Sequence, residues 1–493
     1  MLNFEPFSIS SLQKALPYIK KNTSLCSDLS AGYLFMWSDD ADMKFCIWND
    51  TFSVMQNVGE QPAFSFPMGA DPEGMTDELK QYAYANDMPF RFFGIDEERL
   101  NLMRADSRLQ PAMWAYDRKW SDYVYDFAEA MSFPGKKFSG QRNHINKFKK
   151  LYGEPEIRFL SKDDDESAEG LLKKYESEHT GTNALEKKEL EKTRELYGVH
   201  EMLGLYAAGM FVDDELIALS IGEVMGEQLI IHVEKALKEY EGVYPTMYSG
   251  FVRLMADRLG HPLKYVNRED DSGDPGLRTS KQQYHPICMA DKYLVHIDSP
   301  AVRFTSHPMA FGDGVVLTEF RETDREAYLR LNTDADNNRY WGYDYREDMS
   351  ITGPVDENTF YDMTALDEQA GDSVNYAVRL SENGEMIGEM IFWNFTLKGN
   401  IELGCRLLPE YHGKGYGKAA FGAALELALR MSDNDVTAKC YLENLPSYRM
   451  ITDNGFILYK KDAEYYYFAF PGTGRLMADE DIKKQVSVEA VAG

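Results

Sequence analysis

Cysteine is scarce. Five occur in 493 residues, at Cys26, Cys46, Cys288, Cys405 and Cys440, with no Cys-x-x-Cys pair and no matching histidine spacing. An odd, scattered set argues against a disulfide framework or a zinc site and for reduced thiols. No apolar run reaches the roughly 18 residues of a membrane span, and the opening MLNFEPFSISSLQKALPYIKK lacks a basic-then-apolar signal pattern. A cytoplasmic protein without a transmembrane segment is expected. Positive charge is also short: 53 Lys and Arg stand against 81 Asp and Glu, a formal net charge of −28. Such a surface repels nucleic acid and anionic lipid at long range and favours cationic partners such as amines. The rest is ordinary, with 44% hydrophobic and 27% charged residues. That composition excludes large-scale disorder, and the length exceeds one core, so two to four domains are expected.

The most informative stretch is Ile401 to Arg430. An alternating segment, Ile401 to Leu408, ends at Pro409, and His412-Gly413-Lys414-Gly415-Tyr416-Gly417 opens an Ala/Leu-rich run. The pattern predicts strand, glycine loop and helix. Three glycines in five positions let successive N–H groups converge, and the first helical turn adds its unpaired donors. The loop suits an anion, a diphosphate best, with Lys414 and Lys418 at its rim. A plain strand-to-helix turn is the alternative that the loop alone leaves open. Ala438 to Leu442 then reads as a strand. Asn444 is a natural N-cap for a short helix containing Pro446 and Ser447 that stops at Gly455.

The glycine loop after a strand, followed by Asn-x-x-Ser and a Gly-Phe pair, resembles the GCN5-related N-acetyltransferase (GNAT) family over about residues 312–472. That resemblance implies an acyl-CoA donor, acetyl-CoA or another acyl-CoA, and an amine-bearing acceptor, small molecule or protein. It implies that Gly413, Gly415, Gly417 and Lys418 hold the pyrophosphate, and that the backbone of Cys405 and Leu407 pairs with the pantetheine arm. His412 replaces the family's usual Arg or Gln. Ile451 replaces a tyrosine that in many members protonates the leaving thiolate.

The chemistry needs a base. A lysine-like ammonium has a pKa of about 10.4, so exposing its lone pair at pH 7 costs roughly 4–5 kcal/mol. Strand alternation puts Glu402 and Arg406 on one face and Leu403, Cys405 and Leu407 on the other. Glu402 is the candidate base, directly or through water; pairing with Arg406 is the structural alternative. A backbone N–H near Leu407 is the candidate oxyanion donor. Ser447 is the candidate acid or thiol-orienting group, with Glu389 and Tyr448 behind it.

The first 298 residues read as mixed α/β. Phe133 to Lys150 breaks the acidic trend, carrying six basic residues and no acid, with His144, Ile145 and Phe148 as an apolar stripe. A solvated helix packed on one side is the bland reading, and a phosphate or nucleic-acid contact the functional one. Further on, the order of elements repeats that of the C-terminal region, but only Gly242 stands in the glycine-loop position. QRNHINKFKK together with NREDDSGDPGLRTSKQQYHP resembles the DUF2156 family, related to the C-terminal domain of phosphatidylglycerol lysyltransferases. The likeness implies two acetyltransferase-like folds in tandem that use aminoacyl-tRNA, hence tRNA as a partner of this region. It makes Arg142, Arg268, Arg278 and Lys281 candidates for an anionic group and Glu269, with Asp270, for an amine; structural ion pairing is the alternative.

The expected organisation is α/β with mixed sheets: three acetyltransferase-like folds at 1–135, 136–298 and 315–475, a linker at 299–314 and a tail at 476–493. The leading functional expectation is an acetyl-CoA-dependent N-acetyltransferase fused to a module of unknown donor. An aminoacyl-tRNA-dependent aminoacyltransferase, and a non-catalytic recognition role for residues 1–298, stand as alternatives. No metal site is expected.

Overall fold

The computed structural model describes residues 2–178, 184–342, 344–346, 351, 353–431 and 435–471. Tyr343, the last residue of a 338–343 segment that the sequence leads one to expect near the acceptor side, and the expected tail lie outside the described residues.

Three mixed sheets follow one plan, in which antiparallel hairpins lead to a strand that crosses over through a helix to a parallel neighbour. In the first sheet Gln61–Ser65 pairs in parallel with Phe90–Ile95, joined by the helix Pro72–Ala85. In the second, Gln228–Ala236 and Tyr265–Asn267 are joined by Val243–Leu259. In the third, Ile401–Leu407 and Val436–Tyr441 are joined by Tyr416–Met431. Local chemistry sets these boundaries: Asp71 caps the first helix with Pro72 at its start, and Gly260, at φ +75°, closes the second.

Beside the crossover strand each sheet takes a further antiparallel strand, and here the first two sheets exchange. Asp122–Asp126 lies in the second sheet, between Tyr265–Asn267 and Cys288–Ala290, whereas Tyr293–Ile297 returns to the first, between Phe90–Ile95 and Ala112–Ala115. The division at 135/136 therefore does not coincide with the sheets. Each half completes the other, because an unpaired sheet edge is covered by a strand from across the division. The third sheet fills the same place with its own Tyr465–Ala469.

The expected linker is structured. Pro300–Phe304 is a 3-10 turn whose Ala301 and Phe304 are buried in the third unit's core, and Ala310–Gly312 adds an edge strand to its sheet. The turn before the helix Arg325–Thr333 is closed by Asp324, which accepts from the Arg321 N–H and pairs with buried Arg379.

The third unit docks on the first sheet. Arg91, 1% exposed, donates to Asp372 at 2.6 Å, Ser299 Oγ donates to the Gly371 carbonyl at 2.7 Å, and Thr396 Oγ1 donates to Asp87 at 2.8 Å.

Candidate active site

The parallel pairing in the third sheet is short: it runs through Ile401↔Val436 and Glu402↔Thr437 and then stops. Beyond Glu402 the two strands splay. The Ile401 N–H donates to the Asp435 carbonyl, toward the splayed partner, while the Leu408 N–H donates to Ile387 on the opposite edge. Strand alternation then points the N–H groups of Leu403, Cys405 and Leu407 into the opening.

Below the opening lies the glycine loop. Gly413 (φ +72°) and Gly415 (φ +87°) adopt the left-handed conformation, and a Cβ at either would meet nothing within 4 Å. The first intrahelical bond is from the Ala419 N–H to the Gly415 carbonyl at 3.1 Å, so Tyr416, Gly417 and Lys418 present the first-turn donors of the helix Tyr416–Met431. Loop and opening share one cavity of about 810 Å³, lined on the loop side by His412, Gly413, Gly415, Gly417 and Lys418.

The remaining sequence-derived residues of this unit surround the loop and the strand. His412 Nε2 lies 2.9 Å from the Leu407 carbonyl, tying the loop to the strand end. Lys414 stands over the Tyr411 ring at 5.1 Å, and exposed Lys418 pairs with Asp453 at 3.1 Å, so both ammonium groups are engaged at the rim. Tyr416 packs against the core. Asn444 caps the helix Leu445–Asp453 by accepting from the Ser447 N–H at 3.2 Å, which sets half-buried Ser447 on the cavity wall beside Ile451. Burial pushes the Cys405 thiol up to about 12, helped by Glu389, so it is no nucleophile at neutral pH.

Glu402 is 8% exposed, lines the cavity and accepts from Asn394 Nδ2 at 3.1 Å. Burial raises its carboxyl pKa, with Lys439 and Asn394 pulling it back; a raised carboxylate is a better base near neutrality. Its expected structural partner is taken elsewhere. Arg406 pairs with Glu389 at 2.7 Å and donates to Asn332 at 2.8 Å and Asn338 at 2.6 Å. Glu389, 1% exposed and also held by Tyr328 and Asn375, is a buried counterion and no longer a candidate acid. Nor is Tyr448, its ring packed on Tyr466 and Phe468.

On the far side of the opening the cavity carries Trp341, Trp393, Tyr441, Tyr465, Lys439 and Glu60. The Trp341 ring covers the strand at Gly404, where a Cβ would meet it at 3.2 Å. Sequence reasoning misses Trp393, Tyr441, Tyr465, Lys439 and Glu60. The register Trp393↔Glu402↔Thr437 is the signal for Trp393 and Lys439; Glu60, on the first unit's hairpin turn, has none.

The corresponding loop of the second sheet is shut. A Cβ at Gly242 (φ +84°) would meet the His144 carbonyl at 2.3 Å and Phe148 at 3.3 Å, because the basic helix Ser139–Tyr152 lies across it. Phe148 is fully buried there, whereas the His144 side chain is exposed and not part of the apolar stripe.

The candidate anion-binding residues of this unit are engaged internally. Arg142 donates to the Phe133 and Gly135 carbonyls. Arg268, 8% exposed, pairs with Glu234 at 2.6 Å between the Tyr248 and Tyr284 rings. Arg278 holds buried Asp271 at 2.8 Å, and Lys281 Nζ donates to the carbonyls of Arg268 and Asp270. Glu269 accepts from His232, which also bonds Glu223. Burial alone would lower the His232 pKa, but the two glutamates outweigh it and lift it to about 10. The motif thus builds a buried ionic cluster that fixes the 267–281 loop. Among the described residues no group of side chains is arranged to hold a metal, and no helix is long and apolar enough to cross a membrane.

Comparison with known proteins gives two matched regions. The family model described as phosphatidylglycerol lysyltransferase, C-terminal, matches residues 23–296, and the acetyltransferase (GNAT) domain matches 315–457. An uncharacterized N-acetyltransferase, YnaD, of Bacillus subtilis is 29% identical over 118 residues, 23% of this chain and 69% of that protein. An uncharacterized protein of Mycoplasmoides gallisepticum is 23% identical over 180 residues, 36% of this chain and 56%, little more than half, of its own length. A crystal structure of a conserved protein of unknown function from Bacteroides thetaiotaomicron shares the fold, with TM-score 0.54 and 24% identity over 60% of this chain and all of that one. Both matched regions are acyltransferase modules. The chain belongs to the phosphatidylglycerol lysyltransferase C-terminal (DUF2156) family and carries a GNAT acetyltransferase domain behind it.

Proposed function

We propose that the C-terminal unit transfers an acyl group, in the first instance from acetyl-CoA, to a primary amine. The observation that carries this reading is the open loop. Two left-handed glycines have clear space where side chains would stand, directly beside a strand edge with three inward N–H groups. In this reading the N–H groups from Gly413 to Lys418 hold the pyrophosphate, and those of Leu403, Cys405 and Leu407 face the pantetheine arm and the thioester oxygen. When bound, the coenzyme supplies the activated carbonyl. Glu402 takes the proton from the acceptor ammonium, and Ser447 orients the departing thiol in place of the tyrosine that Ile451 replaces. Trp341, Trp393, Tyr441 and Tyr465 form an aromatic wall suited to a cationic acceptor.

Glu402→Gln is expected to lower turnover about 10²–10⁴-fold, the usual worth of a general base, with cofactor affinity little changed. Mass spectrometry of an amine library incubated with acetyl-CoA reads the turnover, and calorimetry reads the affinity. An unaltered rate removes Glu402 from the mechanism.

For residues 1–298 the family match favours a second reading, aminoacyl transfer from aminoacyl-tRNA. Its polyanion contact is the exposed face of the helix Ser139–Tyr152, since Arg268 and Arg278 are ion-paired to Glu234 and Asp271 and Lys281 donates to backbone carbonyls. Salt-sensitive tRNA binding supports it. Its absence favours a recognition module, to which Glu60 already contributes a cavity residue.

A further inference from the structure

The wall opposite Glu402 holds an amine of the chain's own, and a chemical role for that amine rests on the acyl-CoA reading of the same site. Lys439 stands on Val436–Tyr441, and the register Glu402↔Thr437 puts residues 437, 439 and 441 on the face that carries Glu402, Gly404 and Arg406. Its Nζ lies 3.9 Å from Glu402 Oε1 and 3.6 Å from Glu60 Oε2, and 4.7 Å and 5.5 Å from the ring centres of Trp393 and Tyr465. Both carboxylate separations exceed a hydrogen bond, and the hydrogen bond that Glu402 does accept comes from Asn394. The ammonium is therefore caged by charge and aromatic faces without being locked by direct bonds. It lines the same cavity as Cys405, Leu407 and the glycine loop, on the side where an external acceptor must approach.

We propose that Lys439 is an acceptor in cis, acetylated by its own active site from acetyl-CoA. The ammonium gives a proton to Glu402, directly or through water, and the freed lone pair attacks the thioester carbonyl carbon. The C–N bond forms as the C–S bond breaks, the second amine proton passes to the departing thiolate, and the products are the amide, free coenzyme A and a proton released from Glu402 to solvent. Tethering gives this amine a large positional advantage over a free one. The modification also removes the positive charge between Glu60 and Glu402, leaving both carboxylates to an incoming cationic amine.

The test incubates the full chain with acetyl-CoA and follows intact mass and peptide mapping, with calorimetry on the same sample. One acetyl group on Lys439 is expected, at a rate independent of protein concentration, absent in Lys439→Arg and slowed at least 10-fold in Glu402→Gln. Acetyl-CoA binding with Lys439 unmodified overturns the proposal and leaves the cofactor reading intact; no binding overturns both. Acetylation that spreads over exposed lysines such as Lys460 and Lys461, or that runs within 10-fold of the wild-type rate in Glu402→Gln, marks it as solution chemistry and also overturns the proposal.

Discussion

Gly415→Trp is expected to abolish acetyl-CoA binding, with at least a 100-fold loss of affinity, or about 2.7 kcal/mol. Two effects act together. The residue sits at φ +87°, where a non-glycine costs roughly 1–2 kcal/mol, and an indole would fill the clear space in front of the first-turn donors of Tyr416–Met431. The buried cores of residues 1–298 are separate from the one beside this loop, which Met113 touches only from its rim, so their fold is expected to persist, as circular dichroism and the unfolding transition of that part would show. Calorimetry giving wild-type affinity would refute the assignment of the loop to the coenzyme.

The second large effect concerns stability. Glu389→Ala is expected to destabilise the third unit by about 3–5 kcal/mol, because removing one partner of a buried pair leaves the other charge uncompensated. Glu389 and Arg406 have side chains 1% and 5% exposed and meet at 2.7 Å, and the lost carboxylate would also strand Tyr328 and Asn375. The Arg406 guanidinium lies 4.5 Å from the centre of Trp341, which covers Gly404 at the opening, so acceptor binding is expected to weaken as well. A urea titration reads the midpoint of this unit; a shift worth under about 1 kcal/mol would show that Asn332 and Asn338 suffice to hold Arg406.

Local chemistry was the legible part. The glycine loop and the Asn444 cap lie where turn and cap residues placed them. Strand alternation put Glu402 and Arg406 on one face, and Glu402 lines the cavity. What alternation cannot give is the partner across the sheet: Arg406 shares the Glu402 face, yet finds Glu389 one strand over. The exchange of Asp122–Asp126 and Tyr293–Ile297 between sheets is equally invisible to local pattern, because each strand satisfies its own periodicity in either sheet. Arg268, Arg278 and Lys281 read as candidate anion binders from the family resemblance, with structural ion pairing as the alternative. Their carboxylate and carbonyl partners come from Glu234, Asp271 and the 268–270 backbone, brought close only by the fold. Glu60 is the extreme case, reaching the cavity from more than three hundred residues away.

The most direct test of the central claim is a crystal of the full chain soaked in acetyl-CoA. The expected result is the pyrophosphate within hydrogen-bonding distance of the N–H groups between Gly413 and Lys418, with the pantetheine arm along the open edge of Ile401–Leu407. Coenzyme seated elsewhere, or this turn closed by neighbouring side chains as at Gly242, would contradict it.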